Sequence, residues 1–321
     1  MKSQLTMAPY STTDDYCIEY IKNINYIIGG ITLITSIALM FLQSLIFIIL
    51  KKNSSIAKSI SFRLMKHLGY TEIVQQICHL ISSFYALFYF YPDNIFGTFI
   101  ASLLQTTYLS SIIFLLILTL NRLDVFFNRK ILCSLNREKF INYSVIINYL
   151  WSVVLLIFFM VPDFQLHYSL YDFGWQFVAK SPNWTIAKMF ENRYVIIILC
   201  FCFILYVVII GKILQLKSYT SKGTTISFSE ISLFLQGIIS FLFIVFLESC
   251  WSFLYLYLPQ TKYSFTIINY LYLFSSGTNA IVSLIFIKEI RLGLKDLIFP
   301  RKNKINGEIR TIKITSPKSK I

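Results

Sequence analysis

From Gly97 to Leu120 the chain runs for 24 residues without a charge. As a helix rising about 1.5 Å per residue, that run is long enough to cross a hydrocarbon core of about 30 Å. It ends abruptly at Asn121-Arg122, and its polar residues, Gln105, Thr106, Thr107, Tyr108, Ser110 and Ser111, gather in one half. The pattern is that of a helix that meets a small molecule near one end and a protein at the other. Six more apolar stretches flank it, at about 26–50, 60–89, 143–161, 194–210, 231–257 and 265–287. The chain is 56% hydrophobic and only 14% charged, too apolar for an ordinary soluble domain. The fold class expected is therefore an all-α membrane protein with a seven-transmembrane helix bundle at 26–287.

The net charge of +14 would point to nucleic acid in a soluble chain. Here the Lys and Arg residues sit in short connections between apolar runs, where membrane insertion accounts for them and excludes a nucleic-acid partner. Counted over alternate connections, 6 fall on one side and 23 on the other. That bias puts the N-terminus outside and the C-terminus inside. Residues 1–25 form a polar outer terminus with no cleavable leader pattern. Of three sequons, Asn53-Ser54-Ser55, Asn142-Tyr143-Ser144 and Asn183-Trp184-Thr185, only the last then lies outside, where Asn183 is open to glycosylation. After the seventh span, Ile290, Leu294, Leu297 and Ile298 recur at helical spacing over 288–299, the mark of a short amphipathic helix on the membrane surface. Residues 300–321 form a basic tail drawn to the anionic lipid of the inner leaflet.

Intramembrane polar groups are the functional candidates, because a charge there is costly. Glu72 falls near the middle of the second span, and Asn279 with Ser275 and Ser276 reaches a similar depth on the seventh. They make a polar knot that either switches or stays a static hydrogen-bonded core. Glu248, Trp251 and Tyr255 share one face of the sixth span, as Gln105 and Tyr108 do on the third. Together they suggest an aromatic-walled cavity with one carboxylate and one amide, suited to a small organic ligand. The competing reading makes the aromatics ordinary interfacial belt residues. Arg122 is either a cytosolic charge anchor or a contact for a partner protein. The six cysteines show no C-x-x-C pair, and no His stands nearby at ligand spacing, so neither metal nor cofactor is expected. His67, His79 and His167 lie at different depths and form no set of the kind catalysis needs, so no enzyme is expected.

The segment Thr119-Leu120-Asn121-Arg122 resembles the Asp-Arg-Tyr position of rhodopsin-like receptors and, more closely, the L-N-R form of nematode serpentine chemoreceptors. Lys66-His67-Leu68-Gly69-x-x-Glu72-x-x-Gln75 is similar to the second-span motif of the Srt and Srx classes. Ser276-Gly277-x-Asn279-Ala280, followed by Lys288-Glu289-Ile290-Arg291, is similar to the end of that bundle and its basic helix. The resemblance covers all seven spans. It implies a G-protein-coupled chemosensory receptor in the plasma membrane, with a sensory cilium as a candidate location. A heterotrimeric G protein would meet Arg122 beside Asn121, Glu72 would take the central acidic position and Asn279 the seventh-span switch. No Cys lies at the top of the third span or in the Asn183 loop, so the bridge common there in rhodopsin-like receptors cannot form. The alternative is a transporter or channel that relays protons through Glu72, His79 and Glu248. Ligand identity and oligomeric state stay open.

Overall fold

The computed structural model describes residues 12–53, 59–90, 95–128, 136–177, 183–218, 228–254 and 262–299. Among these residues, seven long helices form one bundle: α1 (Thr12–Lys52), α2 (Ile60–Leu87), α3 (Ile95–Phe126), α4 (Arg137–Met160), α5 (Trp184–Ser218), α6 (Phe228–Ser249) and α7 (Lys262–Phe286). A short α8 (Lys288–Ile298) follows. An antiparallel hairpin, β1 (Leu166–Ser169) and β2 (Gly174–Phe177), joins α4 to α5. Of the helices, α1, α3, α4, α5 and α6 are each long and apolar enough to cross a membrane alone, and α7 with α8 makes a sixth, bent candidate. Arg63, Lys66, Glu72, Gln75, Gln76 and His79 make α2 more polar than these. It spans as a member of the bundle, with much of its polar surface turned inward.

The charge-free run becomes α3, the central helix, which packs against α2, α4, α5, α6 and β1. Its most apolar stretch is 78% buried, against 22% for α4 and 28% for α5, so the others form the lipid-facing wall. Close approach between helices rests on missing side chains. A Cβ at Gly69 of α2 would run into the Gln43 amide and the Phe47 ring of α1, and one at Gly277 of α7 into Leu39. Small residues at such crossings let helices gain dispersion contact where lipid offers no hydrophobic contrast.

Three boundaries depart from the sequence reading. α1 starts at Thr12, so much of the polar segment assigned to an outer terminus is helical. α3 continues a full turn past Arg122, to Phe126. α5 starts at Trp184 rather than near Tyr194, which turns the last third of the expected loop into helix. After Phe286 the chain turns by 86° into α8. The break is at Ile287, whose φ of −90° and ψ of 108° are extended. α8 is held by buried Ile290 and by Ser229 Oγ donating to Glu289 Oε1 at 2.9 Å, in keeping with the amphipathic helix expected there. The tail from Pro300, Tyr255 and most of the Asn53 sequon lie outside the described residues.

Candidate functional site

The hairpin folds over one end of the bundle. Tyr168 and Trp175 face each other across its strands, rings 5.4 Å apart, and both pack on Tyr85 of α2. Asn25 Nδ2 donates to Leu170 O at 3.3 Å, and the Trp175 backbone N–H donates to Asn269 Oδ1 at 3.2 Å, which ties the hairpin to α1 and α7. Burial among these rings pushes the Tyr168 phenol above its ordinary range.

Beneath the hairpin is a cavity of about 270 Å³. Four of the five predicted ligand residues meet there: Gln105 and Tyr108 from α3, Glu248 and Trp251 from α6 and its extension. The same-face spacing was therefore a sound guide, even though Cys250–Leu254 is wound as a π-helical turn. Tyr108 Oη donates to Glu248 Oε1, joining α3 to α6. Trp175 and Phe177 of the hairpin, Trp184, Lys188, Glu191 and Asn192 of α5 and Tyr272 of α7 complete the wall. Expectation and structure part here, because the cavity holds two carboxylates, Glu191 and Glu248, rather than one. Glu191 was hidden in a segment read as loop. Its signal was helical spacing, since Trp184, Lys188 and Glu191 stand at i, i+4 and i+7 on one face.

The central knot is present and larger than expected. Asn279 Nδ2 donates to Glu72 Oε2 at 3.3 Å, and Gln236 Nε2 donates to Asn279 Oδ1, so α6 joins α2 and α7. Gln76 Nε2 reaches Ser276 O at 2.8 Å, and Gln75 Nε2 reaches Thr107 O at 3.2 Å. Between these groups lies a cavity of about 20 Å³, space for one water. Gln236 and Gln76 were missed because an isolated amide in an apolar run gives no spacing pattern.

At the opposite end, where α8 lies, Arg122 was expected to meet water. Instead its side chain is only 3% exposed. The extra turn of α3 and the start of α6 enclose it. Arg122 Nη1 donates to Ser61 Oγ of α2 at 2.9 Å and stands 3.6 Å from Glu230 Oε2 of α6. Asn121 Nδ2 shares Ser61 Oγ at 3.0 Å, while Asn121 Oδ1 accepts from Arg137 Nη2 at 2.7 Å. Arg137 in turn lies 3.3 Å from Asp124, linking α4 to α3. Arg122 Nη2 is buried and has no hydrogen-bond partner among the described residues. Glu230 is the acid that pairs with Arg122, 108 positions away in sequence, and no local motif announces it.

Glu72, His79 and Glu248 are not gathered in one cavity. Each lines a different cavity, and His79 packs edge-on to Tyr272 at 5.2 Å. Asn183 sits at the hairpin end, exposed, with Nδ2 donating to Asp163 Oδ2 at 3.0 Å.

The family model for the serpentine type 7TM GPCR chemoreceptor Srt matches residues 2–307. Among curated protein sequences, none matches. Among solved structures, the crystal structure of squid rhodopsin is similar to this chain with a TM-score of 0.69 at 13% identity, covering 87% of this chain and 86% of its own. At that identity the likeness concerns the fold.

Proposed function

The chain belongs to the Srt family of serpentine-type seven-transmembrane G-protein-coupled chemoreceptors, and from that premise we propose that a small organic ligand under the hairpin controls G-protein activation around Arg122. As a G-protein-coupled chemosensory receptor it acts by signal transduction across a membrane. A transporter is not favoured by the family or the fold.

One observation carries the proposal. The same two helices, α3 and α6, are bonded at both ends, by Tyr108 with Glu248 under the hairpin and by Arg122 with Glu230 beside α8. Tyr108 and Arg122 are about 21 Å apart along α3, taking 14 residues of helical rise. Between them, Gln236 holds α6 to the Asn279–Glu72 pair. A ligand that alters the α3–α6 relation at the cavity thereby changes the cost of separating Arg122 from Glu230. Ligand and partner are coupled through a shared two-state element. Freed from Glu230, the buried guanidinium offers five donors to a heterotrimeric G protein.

The charge bias supports placing the hairpin, the cavity and Asn183 outside the plasma membrane and α8 with the basic tail inside. On that placement Asn183 carries glycan, the tail meets anionic lipid, and a sensory cilium suits a chemoreceptor. The test is a screen of small organic compounds on membranes holding the full chain, read as G-protein nucleotide exchange. A hit whose response is lost when Ser252→Trp fills the cavity supports the site. A hit indifferent to that change places the ligand elsewhere.

A further inference from the structure

We infer that the ligand cavity under the hairpin selects a protonated amine, held between Glu191 of α5 and Glu248 of α6. The inference rests on the reading of this cavity as the ligand site and adds the chemical class of the ligand.

Two carboxylates from different helices face one enclosed space of about 270 Å³. Glu248 has a neutral partner in the Tyr108 hydroxyl, and Glu191 stands beside the Gln105 amide. Neither contact supplies a positive charge. The cation on this wall is Lys188, which sits toward the rim, exposed, with Nζ 5.8 Å from the Trp184 ring. When both acids are ionised, the state a bound cation favours, two acids against one base among the described residues leave the cavity with one negative charge in excess. Like charges confined together are unfavourable, and a cation between them relieves that cost. A monocation therefore gains there what a neutral molecule of the same shape does not.

The rest of the wall fits an organic ammonium rather than a bare ion. Trp175, Trp184, Trp251 and Phe177 present aromatic faces and edges to the space, and the faces attract cationic nitrogen. A metal ion would need several oxygen ligands at short range, and no group of three or more metal-binding side chains gathers among the described residues. An independent observation points to a ligand with a second polar group. Tyr272 Oη and Trp175 Nε1, both on residues at most 5% exposed, line the cavity and have no hydrogen-bond partner among the described residues. Buried donors left unpaired are costly, so a ligand that accepts from them is favoured. The occupant is thus a small amine with an apolar body, better still with an acceptor group besides the nitrogen.

The experiment measures thermal stabilisation of the purified full-length receptor by matched probes, cyclohexylamine and phenethylamine against cyclohexanol and phenethyl alcohol. Each alcohol replaces the ammonium with a hydroxyl and keeps the body. The expected result is stabilisation by the amines at concentrations roughly tenfold or more below those of the alcohols, the scale of one charge-assisted hydrogen bond. Glu191→Gln and Glu248→Gln, which keep shape, should narrow that gap, and the pair should close it. Equal potency of amine and alcohol, both lost in Ser252→Trp, overturns the amine inference and leaves the cavity reading standing. Amine stabilisation that persists in Ser252→Trp and in the double Gln variant puts the amine elsewhere and overturns both. No amine effect up to millimolar concentration also overturns the inference. The comparison on the unaltered receptor holds whether or not a variant folds.

Discussion

Glu230→Gln should raise signalling in the absence of ligand. The pair it breaks stands at 3.6 Å, with the Arg122 side chain 3% exposed and Glu230 34% exposed. Coulomb attraction at that distance in an effective dielectric of about 20 is roughly 5 kcal/mol before any cost is subtracted. Burying the guanidinium offsets part of this, and the half-open carboxylate is screened by water. The net value falls between the ~0.2–1 kcal/mol of an exposed pair and the ~3–5 kcal/mol lost when a fully buried one is broken. About 1–2 kcal/mol is therefore expected, a factor of about 5–30 in an equilibrium. If the contact exists only in the resting arrangement, basal nucleotide exchange at matched surface level rises by that factor, up to the receptor's ceiling. Ser61 and Asn121 still hold their ends of the network, so expression should be normal. Glu138→Gln is the control. It removes a shorter pair, Arg63 to Glu138 at 3.2 Å, in which the carboxylate is 64% exposed, and should leave basal exchange nearly unchanged. A Glu230→Gln variant no more active than Glu138→Gln would refute the idea that this pair restrains the bundle.

Arg122→Lys keeps the charge and loses the planar fork, so surface expression should persist while agonist-driven exchange fails; normal exchange would reduce Arg122 to a charge anchor. Asn183→Gln should abolish any glycan-dependent mobility shift on gels, whereas glycan on Asn53 or Asn142, both at the α8 end, would invert the proposed topology. Gly174→Val would drive its Cβ into the Asn269 side chain, and unlocking the hairpin should cost about 1–3 kcal/mol, read as a lower Tm of the purified receptor. A peptide of residues 300–321 should bind anionic vesicles in a salt-sensitive way, and equal binding to neutral vesicles would dismiss its attraction to lipid charge.

Much of the bundle can be read from sequence because hydrocarbon imposes a simple code. A run such as Gly97–Leu120 has one structure open to it, and the Lys and Arg counts mark its ends. Spacing on a single helix was equally readable, which is why Tyr108 with Gln105 and Glu248 with Trp251 were found as pairs. What escaped was of two kinds. Glu191 lies on the mixed first turns of α5, where Lys188 and Arg193 lower the hydropathy although the segment is helical. Glu230, Gln236 and Gln76 act through partners on other helices, and such pairings are properties of the packed bundle. Arg122 belongs to this second kind. Its charge was plain, but its burial depends on α2 and α6 closing over it.

The hairpin over the cavity is fastened by the Asn25 and Asn269 hydrogen bonds and by edge-packed rings, with no cysteine in the segment to staple it. Its closure is therefore independent of redox state. The nascent chain has no oxidation step to complete before this cap can dock, and reducing surroundings leave it intact. The cap is also renewable, since bonds of this kind open and re-form without chemistry. A thiol that would cut a disulfide strap finds nothing here to cut.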